Sequence, residues 1–279
     1  MTTQHKLWTG AANKLCPEKV FSAYNCFLEA GVDVITTNTY HSLIPLIKQY
    51  YPDSTVDDFN EPAVSLLREA LKEENVKLDR PITMLGSIGC YGAVLRNASE
   101  YHGNYVDEGG IYQKMKNFYI DEISKLEGYG LDQIIIETVP ALLEVKAILE
   151  VISSTPSTFV ISFTCKDGEH LRHGERLSDA VKLAIEQPNV AGVGVNCTAA
   201  SHISSLLRSI GGLTDDREVF VYPNTNTGCR DDINMGKMSD EAMAILLQEW
   251  ISLGATVIGG CCGVSPELTM KMRQVLDSL

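Results

Sequence analysis

The sequence has 279 residues, with 23 Lys or Arg against 36 Asp or Glu and a formal net charge of −13, an acid excess that argues against a nucleic-acid or anionic-membrane surface. Apolar residues make up 44% and charged residues 21%, a globular composition that excludes long disorder. No apolar run approaches the ~20 residues that span a bilayer, and Met1-Thr2-Thr3-Gln4-His5-Lys6 lacks the apolar core of a signal peptide, so a single cytoplasmic domain over 1–279 is expected.

Along the chain two periodicities alternate. Helical spacing over 17–30 is followed by a short apolar, β-branched run at 32–37. Residues 61–74 place Ala63, Leu66, Leu67, Ala70 and Leu71 on one helical face, and a second run follows at 83–88. Residues 112–126 align Met115, Phe118, Tyr119, Ile123 and Leu126 ahead of a run at 133–137. Helical stretches at 141–152, 177–185, 200–210, 239–251 and 266–276 then alternate with runs at 158–164, 190–196, 218–223 and 256–259. Ser178 and Ser239 stand where a helix N-cap is expected.

Runs that are apolar almost throughout fit strands buried on both faces of a parallel sheet. Strict alternation of strand and helix implies right-handed crossovers around one core. Seven such units have the size of an α/β, (β/α)8 TIM-type barrel, which needs roughly 250 residues. The count is one short, so the first strand is lacking or altered. No GxGxxG follows a strand, which disfavours a dinucleotide-binding sheet.

The eight cysteines are 16, 26, 90, 165, 197, 229, 261 and 262. In a long chain without an export signal they read as reduced thiols rather than a disulfide framework. Val193-Gly194-Val195-Asn196 runs into Cys197, and Val257-Ile258-Gly259-Gly260 runs into Cys261-Cys262-Gly263. In a β/α barrel the carboxyl ends of the strands converge on one mouth. The fifth and seventh predicted strands flank the sixth, which brings these three thiols into reach of one another. Neighbouring residues on a strand face opposite ways, so Cys261 and Cys262 share an ion only where the strand has broken. Glycines on both sides give that freedom. Three thiolates at about 2.3 Å with a vacant fourth place describe a catalytic zinc site; the plainer alternative is a set of buried core cysteines. Cys16 and Cys26 read as packing residues, Cys165 as a bystander and Cys229 as an exposed loop thiol. His170-x-x-His173 lies between Gly168 and Gly174 and reads as a loop, not a second metal site.

These residues resemble the homocysteine S-methyltransferase family. Gly194-Val195-Asn196-Cys197 and Gly259-Gly260-Cys261-Cys262-Gly263 match its two zinc-ligand motifs, and residues 31–40, Gly-Val-Asp-Val-Ile-Thr-Thr-Asn-Thr-Tyr, match its second strand. Gly86-Ser87-Ile88-Gly89-Cys90-Tyr91-Gly92-Ala93, with Ser99-Glu100-Tyr101-His102-Gly103-Asn104-Tyr105, is similar to the branch using S-methylmethionine or S-adenosylmethionine. So are Ser162-Phe163-Thr164 with Glu169-His170-Leu171, and Val221-Tyr222-Pro223-Asn224. Three departures stand out: the family's Asp-Gly-Gly-like opening strand has no counterpart before Leu7-Trp8, Cys90 replaces a usual Pro, and Thr225-Asn226-Thr227 replaces Ser-Gly-Glu.

The resemblance implies one Zn2+ per chain on Cys197, Cys261 and Cys262, and methyl transfer from a sulfonium donor to homocysteine. By position and resemblance Glu137 binds the homocysteine ammonium, and Asn38, Ser87, Thr138 and Asn196 line the same pocket. The simpler alternatives are a paired or capping carboxylate for Glu137 and turn or orienting roles for the other four. A family-like chain that binds zinc without turnover, and a zinc-free barrel with structural cysteines, remain as competing readings.

Overall fold

The computed structural model describes residues 7–77, 81–131, 133–214, 216–225 and 233–279. In chain order its elements are α1 (Ala12–Leu15), α2 (Pro17–Glu29), β1 (Val34–Thr36), α3 (Ile44–Tyr50), α4 (Asp57–Lys77), β2 (Thr83–Gly89), α5 (Tyr91–Val94), α6 (Ile111–Gly128), β3 (Gln133–Val139) and α7 (Leu142–Ile152). They continue with β4 (Thr158–Phe163), α8 (Leu177–Ile185), β5 (Val190–Ala199), α9 (Ala200–Ile210), β6 (Glu218–Asn224), α10 (Asp240–Ser252), β7 (Val257–Ile258) and α11 (Pro266–Asp277). The strands form one seven-stranded sheet in sequential order, and every pair is parallel. This is the expected α/β barrel architecture, with seven strands among the described residues. Among the described residues β1 and β7 each pair on one side only.

The alternation of side chains along the strands builds the interior in two layers. Leu85, Ile135, Val160 and Phe220 form an apolar plug inside the curled sheet. Two residues further along the same strands come Ser87, Glu137, Ser162 and Tyr222. The interior therefore turns polar toward the carboxyl ends of the strands. β5 contributes Gly194 to the lower layer because Phe220 occupies that space; a Cβ on Gly194 would lie 2.7 Å from Phe220 Cβ. The opposite strand faces carry Ile134, Ile136, Phe159, Ile161, Val193 and Val219 into the larger core against the helices.

The two edge strands are shorter than their apolar runs, as expected where a partner is present on one side alone. Between them opens a cavity of about 770 Å³, bounded outside by α2 and α11 and inside by the barrel residues Ser87, Glu137 and Tyr222. At the amino ends of the strands an ion pair, Arg273 Nη1 to Asp33 Oδ2 at 2.6 Å, ties α11 to the start of β1. Ser239 caps α10 by accepting from the Ala242 N–H at 3.2 Å. Ser178 is not a cap: α8 begins one residue earlier, at Leu177, behind Arg176. No described helix is long and apolar enough to cross a membrane.

Candidate metal centre

The thiols of Cys197, Cys261 and Cys262 converge: their sulfur atoms all lie within 4.8 Å of one another. Cys197 Sγ and Cys262 Sγ are 3.9 Å apart. Tetrahedral ligation with metal–sulfur bonds of about 2.3 Å puts neighbouring sulfurs about 3.8 Å apart, so the donor set fits a zinc-sized ion. Cys197 is buried, Cys261 half-buried and Cys262 exposed, which leaves access from one side.

Both arms of this cluster depend on unusual backbone. Cys197 has φ +47°, and Thr138, on the facing end of β3, has φ +64°. Each sits at a break in strand register, between Asn196 and Ala199 on β5 and between Ile136 and Val139 on β3. The Asn196 amide joins the two breaks. Its Oδ1 accepts the Thr138 N–H at 3.0 Å and the Ser162 hydroxyl at 2.8 Å, while its Nδ2 donates to Thr138 Oγ1 at 2.8 Å. The Cys197 carbonyl accepts from Thr164 Oγ1 at 3.2 Å and from Arg172 Nη2 at 3.1 Å. Left-handed backbone at a non-glycine residue costs of order 1–3 kcal/mol and persists where its surroundings over-determine it.

The second arm hangs on the end of β6. The Cys261 N–H donates to the Pro223 carbonyl at 2.8 Å, and the Cys262 N–H donates to Asn224 Oδ1 at 3.1 Å. The Thr225 N–H returns a bond to the Cys262 carbonyl at 3.0 Å. Gly263 makes this turn possible, with φ +83° and its Cβ position 2.8 Å from the Thr225 carbonyl oxygen. Gly263→Ala therefore meets both a disfavoured φ and a backbone clash. It should lose about 2–3 kcal/mol of stability, the upper end of the cost of such strain, together with metal affinity. Chemical denaturation and metal titration measure the two losses.

The thiols share their protons unequally. Hydrogen bonds from Cys197 and Cys261 hold the Cys262 thiol well below the ordinary thiol range. Cys261 is pushed well up by its bonding to Cys197 and Cys262 and by burial. A divalent cation held by Cys197, Cys261 and Cys262 would displace the protons that the thiols retain.

The residues expected to bind substrate fall into two groups. Glu137 and Ser87 face the 770 Å³ cavity, which Cys261 also lines. Ser87 Oγ donates to Glu137 Oε1 at 2.5 Å. Burial raises the Glu137 carboxyl above its ordinary range, opposed by the hydroxyls of Ser87 and Tyr222. Asn38 also lines the cavity, with its amide committed to neighbours: Nδ2 donates to the Thr9 carbonyl at 3.0 Å and to Asn13 Oδ1 at 2.8 Å. Thr138 and Asn196 are each 1% exposed and bonded to one another. That arrangement suits the orienting role for both.

Other residues sort as follows. Cys90 and Cys165 are buried core thiols, and Cys26, expected to pack, is exposed. Pro17 starts α2 and its apolar stripe of Val20, Tyr24 and Leu28 faces the core, which turns position 26 outward. His170 bonds Asp167 at 3.1 Å and His173 bonds Glu175 at 2.9 Å, both within a loop. Cys229, Asn226 and Thr227 lie outside the described residues. Sequence reasoning gave no role to Arg172, Thr164 or Asn224, which hold the cysteine backbone, or to Tyr101, which touches Cys197.

The family model described as homocysteine S-methyltransferase matches residues 1–276. Homocysteine S-methyltransferase YbgG of Bacillus subtilis (strain 168) is 31% identical over 283 residues, covering 98% of this chain and 88% of that protein. Betaine-homocysteine S-methyltransferase of Drosophila melanogaster is 28% identical over 291 residues, again covering 98% and 88%. The metallated form of the homocysteine methyltransferase MmuM from Escherichia coli has a TM-score of 0.84 at 26% identity, covering 98% of this chain and 90% of that one.

Proposed function

The chain belongs to the homocysteine S-methyltransferase family, methylating homocysteine to methionine, and on that premise we propose that it works with one Zn2+ held by Cys197, Cys261 and Cys262 and with a sulfonium methyl donor, S-methylmethionine or S-adenosylmethionine. The observation that carries the metal and the substrate together is placement. Cys261, one of three convergent thiols, opens into the same cavity as the Glu137 carboxylate.

A free thiol is mostly protonated at neutral pH and only its thiolate is a good nucleophile. Zinc, when bound by three thiolates, supplies the electrostatic stabilisation that keeps an incoming thiol deprotonated. The residues of the chain supply the rest. Glu137 is the counter-charge for the amino-acid ammonium, and Ser87 fixes the carboxylate's rotamer. Asn196 keeps the strand end bearing Glu137 in register with the one bearing Cys197. Holding one end of homocysteine on Glu137 aims its sulfur at the thiol cluster, and such orientation accounts for much of the rate in a bimolecular transfer. The homocysteine sulfur forms the new S–CH3 bond while the donor's S–CH3 bond breaks. The bonding pair returns to the donor sulfur, which changes from sulfonium to neutral thioether, so no general acid is required.

Relatives with both plain and betaine-specific names match this chain comparably, so the donor is tested directly. Methionine formation is measured with S-methylmethionine, S-adenosylmethionine and betaine, beside metal analysis of the purified protein. One zinc per chain with turnover on a sulfonium donor is expected; turnover on betaine alone overturns the donor assignment. A second reading, zinc binding without turnover, rests on the one-sided pairing of β1 and β7 among the described residues. One zinc per chain with no turnover on any donor selects it.

A further inference from the structure

We propose that Tyr101 is a positioning residue of the metal centre, its phenol donating a hydrogen bond to the sulfur of Cys197. This inference rests on the metal reading above and assigns a role outside the three ligands. The hydroxyl of Tyr101 lies 3.8 Å from Cys197 Sγ, within reach of a donor to sulfur. Tyr101 comes from the loop after β2, at the end of a short 3-10 turn spanning Ser99–Tyr101. It reaches a cysteine on β5, 96 residues away in sequence.

The contact is built rather than incidental. Arg172, from the loop after β4, lies over the Tyr101 ring at 5.5 Å and donates from Nη2 to the Cys197 carbonyl at 3.1 Å. One side chain thus braces both the phenol and the strained residue whose sulfur the phenol meets. The loop carrying Tyr101 is anchored on its far side. Tyr105 and Tyr119 donate to the fully buried carboxylate of Glu144, which also accepts the Tyr91 N–H at 2.6 Å. Against the β4 loop it packs so closely that a Cβ on Gly103 would sit 2.9 Å from His173 Cβ. A tyrosine on such a frame keeps its hydroxyl in place without a metal present.

The chemistry follows from charge. Three thiolates on a divalent cation leave one net negative charge, and a fourth sulfur adds another. A buried thiolate gains from a donor that spreads part of that charge. Cys197 is the buried member of the set, and its sulfur lies 3.8 Å from the phenol. A hydrogen bond to a ligand atom tunes its donor strength, and loss of such an outer partner typically lowers metal affinity about 10–100-fold.

The test is Tyr101→Phe, which keeps the ring and the Arg172 stacking and deletes only the hydroxyl. Two quantities are read: zinc affinity, by competition with a chromophoric chelator, and the thiolate-to-metal charge-transfer band of Co2+-substituted protein. The variant should bind zinc about tenfold more weakly. Its cobalt band should move to lower energy, because a sulfur without its donor is easier to oxidise. A packing role alone would leave the band in place. Unchanged affinity and an unchanged band overturn the proposal while wild-type zinc binding stands. Wild-type protein that binds no zinc overturns the metal reading, and this inference falls with it.

Discussion

Cys262→Ala should be isolated without zinc, with methionine formation reduced about a thousandfold and its thermal unfolding near that of the metal-free wild type. The three sulfurs are nearly the whole of the metal site, and each thiolate supplies both a bond and a compensating charge. Thiolate-rich sites in small zinc domains have apparent binding free energies of about 10–16 kcal/mol. Removing one of three equivalent donors takes away roughly a third of that, about 4 kcal/mol or close to three decades in affinity. Cys262 is the member of the set that gives up its proton most readily. It is exposed, and truncating an exposed side chain leaves the core intact. Cys197→Ala is the less clean experiment, because that residue is buried at φ +47° and its substitution also touches the fold. Retained zinc and activity in Cys262→Ala would take this cysteine out of the ligand set.

The thiol cluster was legible in the sequence because local chemistry marks both of its arms. A Gly-Gly-Cys-Cys-Gly strand end has little structural purpose unless the chain must turn there, and Gly263 is where it turns, at φ +83°. All seven strands and the main helix after each follow from apolar periodicity, although α4 starts at Asp57, four residues ahead of the expected span 61–74. Composition alone did not announce α3 or the short turns around residues 91–107, where tertiary contacts rather than periodicity set the backbone. Tyr101 was visible as part of a motif, yet its role depends on a contact spanning 96 positions. The same holds for Arg172 and Asn224, polar residues in loops whose partners are cysteine backbone atoms far along the chain. Thr138 and Cys197 carry no sign of their left-handed backbone, since neither residue type favours it. Only the spatial pairing through Asn196 explains why both are tolerated.

Glu137→Gln should raise the KM for homocysteine about a hundredfold or more, lower kcat less, and make the protein more stable at neutral pH. The substitution keeps the shape of the side chain and an acceptor for the Ser87 hydroxyl, so the polar layer of the barrel stays assembled. What it deletes is the charge opposite the substrate ammonium. Removing one member of a desolvated charge pair costs about 2–5 kcal/mol, which falls mainly on binding because the ammonium takes no part in bond making. The pH dependence separates this role from a structural one. Burial raises the Glu137 carboxyl above the usual range, and it must be ionised to hold a cation. In the wild type, kcat/KM should therefore fall as the pH drops through that raised value; in Glu137→Gln this acid limb disappears from an already low profile. Stability runs the other way. A carboxyl whose pKa is higher folded than unfolded binds its proton more tightly in the folded state, so its contribution is complete below the unfolded pKa. That contribution is lost as the pH rises through the folded value. The glutamine has no such loss, and at neutral pH its unfolding midpoint should exceed that of the wild type. A gain in stability joined to a loss in substrate affinity is the signature of a charge retained for binding. A fall in stability with KM unchanged would return Glu137 to a purely structural part in the barrel mouth.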